Sequence, residues 1–188
     1  YGWIVGSDFP GSAAVVAERV DFYNDSTTIP RGLLSSARYN LAATGNSNYG
    51  WFGGGKNPNI ISTVDRVTFS NDTATASPRG PLSSAREKLT ATGNSNYGWF
   101  GGLGVDRIDF SNDSATASVR GPLSATRYNL AATGNSNYGW FGGGGPGSIL
   151  SYTTSVYRID FSNDSSTASV RGPLSSARYG LRSEEHTS

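Results

Sequence analysis

Short stretches of alternating apolar and polar residues run along the whole chain, broken every few positions by Asn, Asp, Gly or Ser. In Val105 to Phe110, the residues Val105, Arg107 and Asp109 fall on one side of an extended strand, and Asp106, Ile108 and Phe110 on the other. Arg107 and Asp109 share a side and are expected to pair. No stretch carries the 3.6-residue spacing of an amphipathic helix, so the pattern predicts strands joined by turns. The breaks fall where turn-forming residues tolerate left-handed backbone.

The pattern repeats. Trp3, Trp51, Trp99 and Trp140 lie 48, 48 and 41 residues apart, and each sits in the same setting. The second copy divides into four segments: Leu41 to Gly45, Tyr49 to Gly55, Val64 to Phe69 and Thr75 to Leu82. Turns at Asn46-Ser47-Asn48 and Asn71-Asp72 and a variable link after Gly55 separate them. Four short strands at this period are the unit of a β-propeller blade. A β-solenoid usually repeats over fewer residues, and a β-sandwich gives no reason for the sequence to repeat. The expected fold is therefore all-β: a propeller of four repeats of four antiparallel strands, over about 1–38, 39–86, 87–127 and 128–178, with a further strand starting before 181. It is either four-bladed or part of a larger propeller. The Leu-Ala-Ala-Thr-Gly strand is expected innermost, because small side chains suit a crowded axis, and Trp51 is expected between blades.

Composition narrows the function classes. With 188 residues, the chain suits one domain. Its formal charge of +1 supplies no basic field for nucleic acid, and no apolar run is long enough to span a bilayer. Cys is 0, which excludes disulfides and thiolate chemistry. Met is also 0, and the chain opens within a strand pattern, so it is expected to be a piece of a longer protein. Residues 182–188 (RSEEHTS) match the conceptual translation of a sequencing adapter, which makes His186, the single histidine, an expected artefact.

On these residues the chain resembles the kelch family. The paired glycines Gly53-Gly54, Gly101-Gly102 and Gly142-Gly143 are similar to those closing a kelch blade's second strand; Val5-Gly6 departs from them. Thr63 to Phe69 resembles the family's third strand, and Gly80-Pro81-Leu82-Ser83-Ser84-Ala85-Arg86 its blade end. The tryptophan that kelch blades carry on the fourth strand is replaced here by one on the second. The words VDRIDFSNDSATAS and SSARYNLAATGNSN also resemble repeat units of structural and tail-fibre-like proteins of marine cyanobacterial phages. That likeness implies a virion or extracellular surface.

Candidate chemistry is sparse. Kelch-like oxidases need histidine and cysteine around copper, and sialidase propellers carry Asp-boxes; neither signature occurs. No catalytic residue, cofactor or metal is expected: one carboxylate per Asn-Asp turn is too few for calcium. Sequons at Asn24, Asn71, Asn112 and Asn163 read first as turn chemistry. Arginine recurs three times per repeat: Arg19, Arg66, Arg107 and Arg158; Arg31, Arg79, Arg120 and Arg171; and Arg38, Arg86, Arg127 and Arg178. The last set precedes the innermost strand and is a candidate for lining a channel mouth, where guanidinium groups would hold carboxylate or phosphate. The competing reading, favoured by repetition, is a structural tie to a backbone carbonyl or a neighbouring Asp.

The copies differ most between their second and third strands. That link is only Leu103-Gly104 in the third copy, but long in the others. Lys56, Asn57, Asn59 and Ile60 in the second copy and Ile149, Leu150 and Tyr152 in the fourth are candidate contact residues. The chain is thus expected to be a non-enzymatic module that binds a protein or glycan through loops on one face. The alternatives are a spacer with no ligand, and less favourably the non-catalytic part of a propeller enzyme. Self-association is expected if the ring lacks blades.

Overall fold

A computed structural model describes residues 2–4, 14–24, 28–146, 151–178 and 180. Ile149, Leu150 and the adapter-like 182–188 lie outside the described residues. Four antiparallel sheets follow one another along the chain. The first comprises β1 (Gly2–Ile4), β2 (Ala14–Val20) and β3 (Ile29–Arg38); β2 and β3 pair through two register shifts. The second comprises β4 (Ala42–Gly45), β5 (Tyr49–Gly53), β6 (Val64–Thr68) and β7 (Ser77–Arg79). The third comprises β8 (Thr90–Gly93), β9 (Tyr97–Gly101), β10 (Val105–Asp109) and β11 (Ser118–Arg120). The fourth comprises β12 (Ala131–Gly134), β13 (Tyr138–Gly142), β14 (Val156–Asp160) and β15 (Ser169–Arg171). The first sheet has three described strands where the repeat predicts four, lacking the counterpart of β4, β8 and β12.

Each sheet is a meander in chain order, and β8 lies against both β4 and β12. The Ala-Thr-Gly strands are therefore the inner ones, as their small side chains require. Asparagines tie the turns that follow them. Asn46 and Asn94 accept from backbone N–H groups of their own turns and donate to the carbonyls of Ser95 and Ser136 in the next blade.

The apolar cores lie between sheets. Leu34 meets Phe52, Val67 and Ala76 between the first two. Trp51, Val64 and Leu82 meet Phe100, Ile108 and Ala117 between the second and third. Trp99, Val105 and Leu123 meet Phe141, Ile159 and Ala168 between the third and fourth. Glycine permits this closeness. A Cβ on Gly53 would stand 2.8 Å from the Phe100 ring, and one on Gly80 would collide with the Ala115 carbonyl. The modest apolar fraction of 36% suffices because blades meet through glycine and ring faces.

The last sheet differs. Only Val156 and Leu174, both from its own blade, approach the Cβ position of Gly142, and nothing lies within 4 Å of that of Gly172. Among the described residues, the four blades form an open arc.

Candidate functional site

Two of the three arginine sets converge on one carboxylate of the following blade. The third strands of the second, third and fourth blades each end in a short 3-10 turn, such as Phe110–Asn112, which leads to an aspartate. Asp113 Oδ2 accepts from Trp51 Nε1 at 2.9 Å and from Arg66 Nη1 at 3.0 Å, and Arg79 Nε stands 3.5 Å away. Asp164 repeats this with Trp99 at 2.9 Å, Arg107 at 3.0 Å and Arg120 at 3.4 Å. Asp72 holds Arg19 at 3.0 Å and Arg31 at 3.5 Å. All three aspartates are buried, so two guanidinium groups on one carboxylate offset the cost of removing it from water.

Aromatic rings complete the clasps of Asp113 and Asp164. Phe110 stacks on Trp51 with centroids 3.8 Å apart, and Phe161 on Trp99 at 3.7 Å. Arg66 lies 4.4 Å above the Tyr49 ring and Arg107 4.4 Å above that of Tyr97. Arg107 therefore pairs across the interface with Asp164, and the expected pair with Asp109 does not form. Asp109 instead accepts from the Ser111 hydroxyl and N–H within its own turn, and Asp160 accepts from Ser162 in the same way. The serine hydroxyl bonds hold both carboxyls below the usual aspartate value.

The third arginine set is placed case by case. Arg38 is fully buried, donating to Asp65 Oδ2 at 2.9 Å and to the Phe52 carbonyl at 3.1 Å. Arg86 is also buried and donates to Asp106 Oδ1 at 2.9 Å. Neither guanidinium faces a channel; both tie the connector to the blade it enters. In the fourth blade Tyr157 stands where Asp65 and Asp106 do, and Arg127 donates to its hydroxyl at 3.3 Å. Burial pushes the Tyr157 phenol up, but hydrogen bonds from Arg127, Ser155 and Ser124 outweigh it, leaving the group below the ordinary tyrosine value. Arg178 is exposed and donates to Ser176 Oγ at 3.3 Å.

The loops after the second strands gather at the end where connectors enter the inner strands. In the second blade Gly54 N donates to Thr63 O and Ile61 N to Gly55 O, both at 3.0 Å. In the fourth, Gly143 N donates to Ser155 O at 3.0 Å and Thr153 N to Gly144 O at 3.1 Å. The two loops therefore share one base. Gly54 and Gly143 open it with φ of 70° and 71°. Next-blade connectors hold it, through Gly55 N to Arg86 O and Gly144 N to Arg178 O.

Beyond that base the tips diverge. Asn57, Pro58, Asn59 and Ile60 are exposed, with Asn57 Nδ2 donating to Ala37 O at 2.9 Å. Lys56 Nζ stands 4.0 Å from Glu87 and remains half-exposed. Tyr152, 42% exposed, lies on the corresponding fourth-blade loop. The structure thus places Lys56, Asn57, Asn59, Ile60 and Tyr152 on one end of the arc, with Arg38 and Arg86 beneath as buried supports.

Sequence reasoning missed the role of Asp72, Asp113 and Asp164, which it read as turn residues alone. The signal was present: one Asp, two Arg and one Trp recur together in register.

Consecutive antiparallel meanders, three of them four-stranded and set around their inner strands, define an all-β, propeller-like fold. No protein-family model and no curated protein matches the chain. Among solved structures, that of YjhT is similar with a TM-score of 0.72 and 11% sequence identity, over 88% of this chain and 61% of that one. At that identity the likeness concerns the fold alone, and this chain spans about three-fifths of that protein's length. Among the described residues, no helix is long and apolar enough to cross a membrane.

Proposed function

We propose that the protein is a non-enzymatic recognition module that binds a glycan or a protein through the loops after the second strands of its blades. One observation carries this reading: the loops of the second and fourth blades rise from the same hydrogen-bonded base yet carry different exposed residues, Asn57, Pro58, Asn59 and Ile60 in one and Ser151 and Tyr152 in the other. A rigid scaffold with divergent loops on one end suits binding, since the scaffold fixes position and the tips supply selectivity. The likeness of the repeats to kelch blades and to phage tail-fibre-like words supports a virion or cell-surface setting.

The second reading is a spacer without a ligand, and the recurrence of the clasp favours it, because all the clasp arginines in the interior serve cohesion. A glycan array and a pull-down on cell envelopes separate the two. The recognition reading expects binding by the natural chain and its loss when residues 56–62 are replaced by a Leu-Gly link like that of the third blade. Binding that survives this replacement, or none at all, favours the spacer.

A further inference from the structure

A cradle for a carboxylate recurs where each connector enters its blade, twice with an acid of the chain in it and once without. At the second blade Asp65 Oδ2 accepts from Ser35 N, Ser35 Oγ and Arg38 Nη1, each at 2.9 Å. At the third, Asp106 accepts from Ser83 N at 2.8 Å, Ser83 Oγ at 2.7 Å and Arg86 Nη2 at 2.9 Å. A serine and the arginine three residues after it thus supply three donors, a set suited to an ionised carboxyl. The fourth connector keeps both as Ser124 and Arg127, but β14 opens Val156-Tyr157-Arg158 where the second and third blades have Val-Asp-Arg.

Tyr157 changes what the cradle can hold. Its hydroxyl accepts from Arg127 Nη2 at 3.3 Å, longer than the 2.9 Å of the two ion pairs, and it also meets the side chains of Ser124 and Ser155. A phenol brings no formal charge to match the guanidinium, and unlike an ionised carboxyl it keeps a proton to donate. Residues 147–150 of the adjoining loop, outside the described residues, are Gly, Ser, Ile and Leu and contain no acid. Arg127 is half-buried and Ser124 exposed, whereas Arg38 and Arg86 are buried, so the fourth cradle is reachable from solvent. Tyr157 belongs to the apolar cluster that joins the third and fourth blades, so this is an interior interface and owes nothing to either end of the chain.

We propose that Arg127, Ser124 and Tyr157 bind the carboxylate of a sugar acid, with the guanidinium facing the charge and the phenol donating to it. The surroundings favour a sugar over an acidic peptide. Thr153 Oγ1 and Ser155 Oγ lie 2.8 Å apart at the root of the fourth-blade loop, ready to exchange hydrogen bonds with ring hydroxyls, and Tyr152 of the same loop is 42% exposed and offers an aromatic ring. The site sits at the root of the loop and not on the tips, so it stands apart from recognition through the tips.

Titration with sodium glucuronate at constant ionic strength, followed by nuclear magnetic resonance, tests this. The Arg127 Nε–H and Ser124 amide signals should shift and saturate, while the Nε–H signal of Arg86, whose cradle holds Asp106, stays in place. Glucose at the same concentrations should move none of them. Arg127→Gln should weaken binding at least about tenfold, read at the Ser124 amide. Tyr157→Asp gives the fourth blade the carboxylate of the second and third; it should abolish binding without lowering the melting temperature, which shows that the variant folds. A shift that is absent or does not saturate, an equal response to glucose, or a folded Tyr157→Asp that binds as well as the natural chain would each overturn the proposal. Tighter binding of an acetylated, amidated aspartate than of glucuronate would overturn the assignment to a sugar.

Discussion

Trp51 and Trp99 report the state of their interfaces, because their rings lie on the seams between blades. Trp51 and Trp99 are fully buried, each stacked on a Phe and donating to an Asp of the next blade. Trp140 is partly exposed and has neither partner among the described residues. Trp51→Ala is therefore expected to cost about 3–5 kcal/mol in a urea titration, as for other buried aromatics, and Trp140→Ala less than about 2 kcal/mol. Equal losses would mean that the two sites are packed alike. Aspartates in the turns give a second expectation. A carboxyl held below its ordinary value stabilises the fold above that value, and the contribution is lost as pH falls through the lowered one. Asp109 and Asp160 are so held, and the melting temperature should fall on acidification below about pH 4. The double variant Asp109→Asn, Asp160→Asn should show a shallower fall; an unchanged slope would remove these groups from the account.

Strands and turns were the most legible elements, since period-two alternation and the Asn-Asp and Asn-Ser-Asn breaks are local signals. Inner placement of the Ala-Thr-Gly strands followed from side-chain size. The partners of the arginines were not legible to the same degree. Arg107 and Asp109 share a strand face, so local reasoning pairs them, yet Arg107 reaches Asp164, which lies 57 residues away. Burial of Arg38 and Arg86 was foreshadowed by repetition, but their aspartate partners needed the fold. The connectors hold a further detail invisible to pattern reading: Asn40, Lys88 and Asn129 adopt φ of 56°, 57° and 55°. Lys88 N donates to Asn40 O and Asn129 N to Lys88 O, so the three connectors are laced together near the inner strands. Asparagine tolerates this left-handed backbone and lysine does so at a cost. Lys88→Gly is expected to raise stability by about 0.4–1 kcal/mol in a urea titration, and a loss would show that the lysine side chain contributes more than its backbone costs.

At the scale of the molecule, cohesion is carried by neighbouring pairs of blades, as in other repeat architectures. Each interface combines a small apolar cluster, glycine-allowed contact and one buried aspartate shared by two arginines, joined at the two later interfaces by a tryptophan. This division of labour frees the tips of the loops after the second strands from structural duty beyond their common base, and replacing only the exposed Asn59 and Ile60 with serine, which keeps the backbone bonds of Lys56, Ile61 and Ser62, should leave the melting temperature nearly unchanged. A large drop would mean that the tips support the blades. The central claim is that filled clasps join the interior blades, whereas the half-clasp around Trp140 in the fourth blade has no carboxylate or stacked ring among the described residues. Hydrogen exchange of the indole N–H groups, followed by nuclear magnetic resonance at low protein concentration, tests it most directly. Slow exchange at Trp51 and Trp99 with fast exchange at Trp140 is the predicted result; equally slow exchange at all three would show that the fourth blade's clasp is already filled within a single chain.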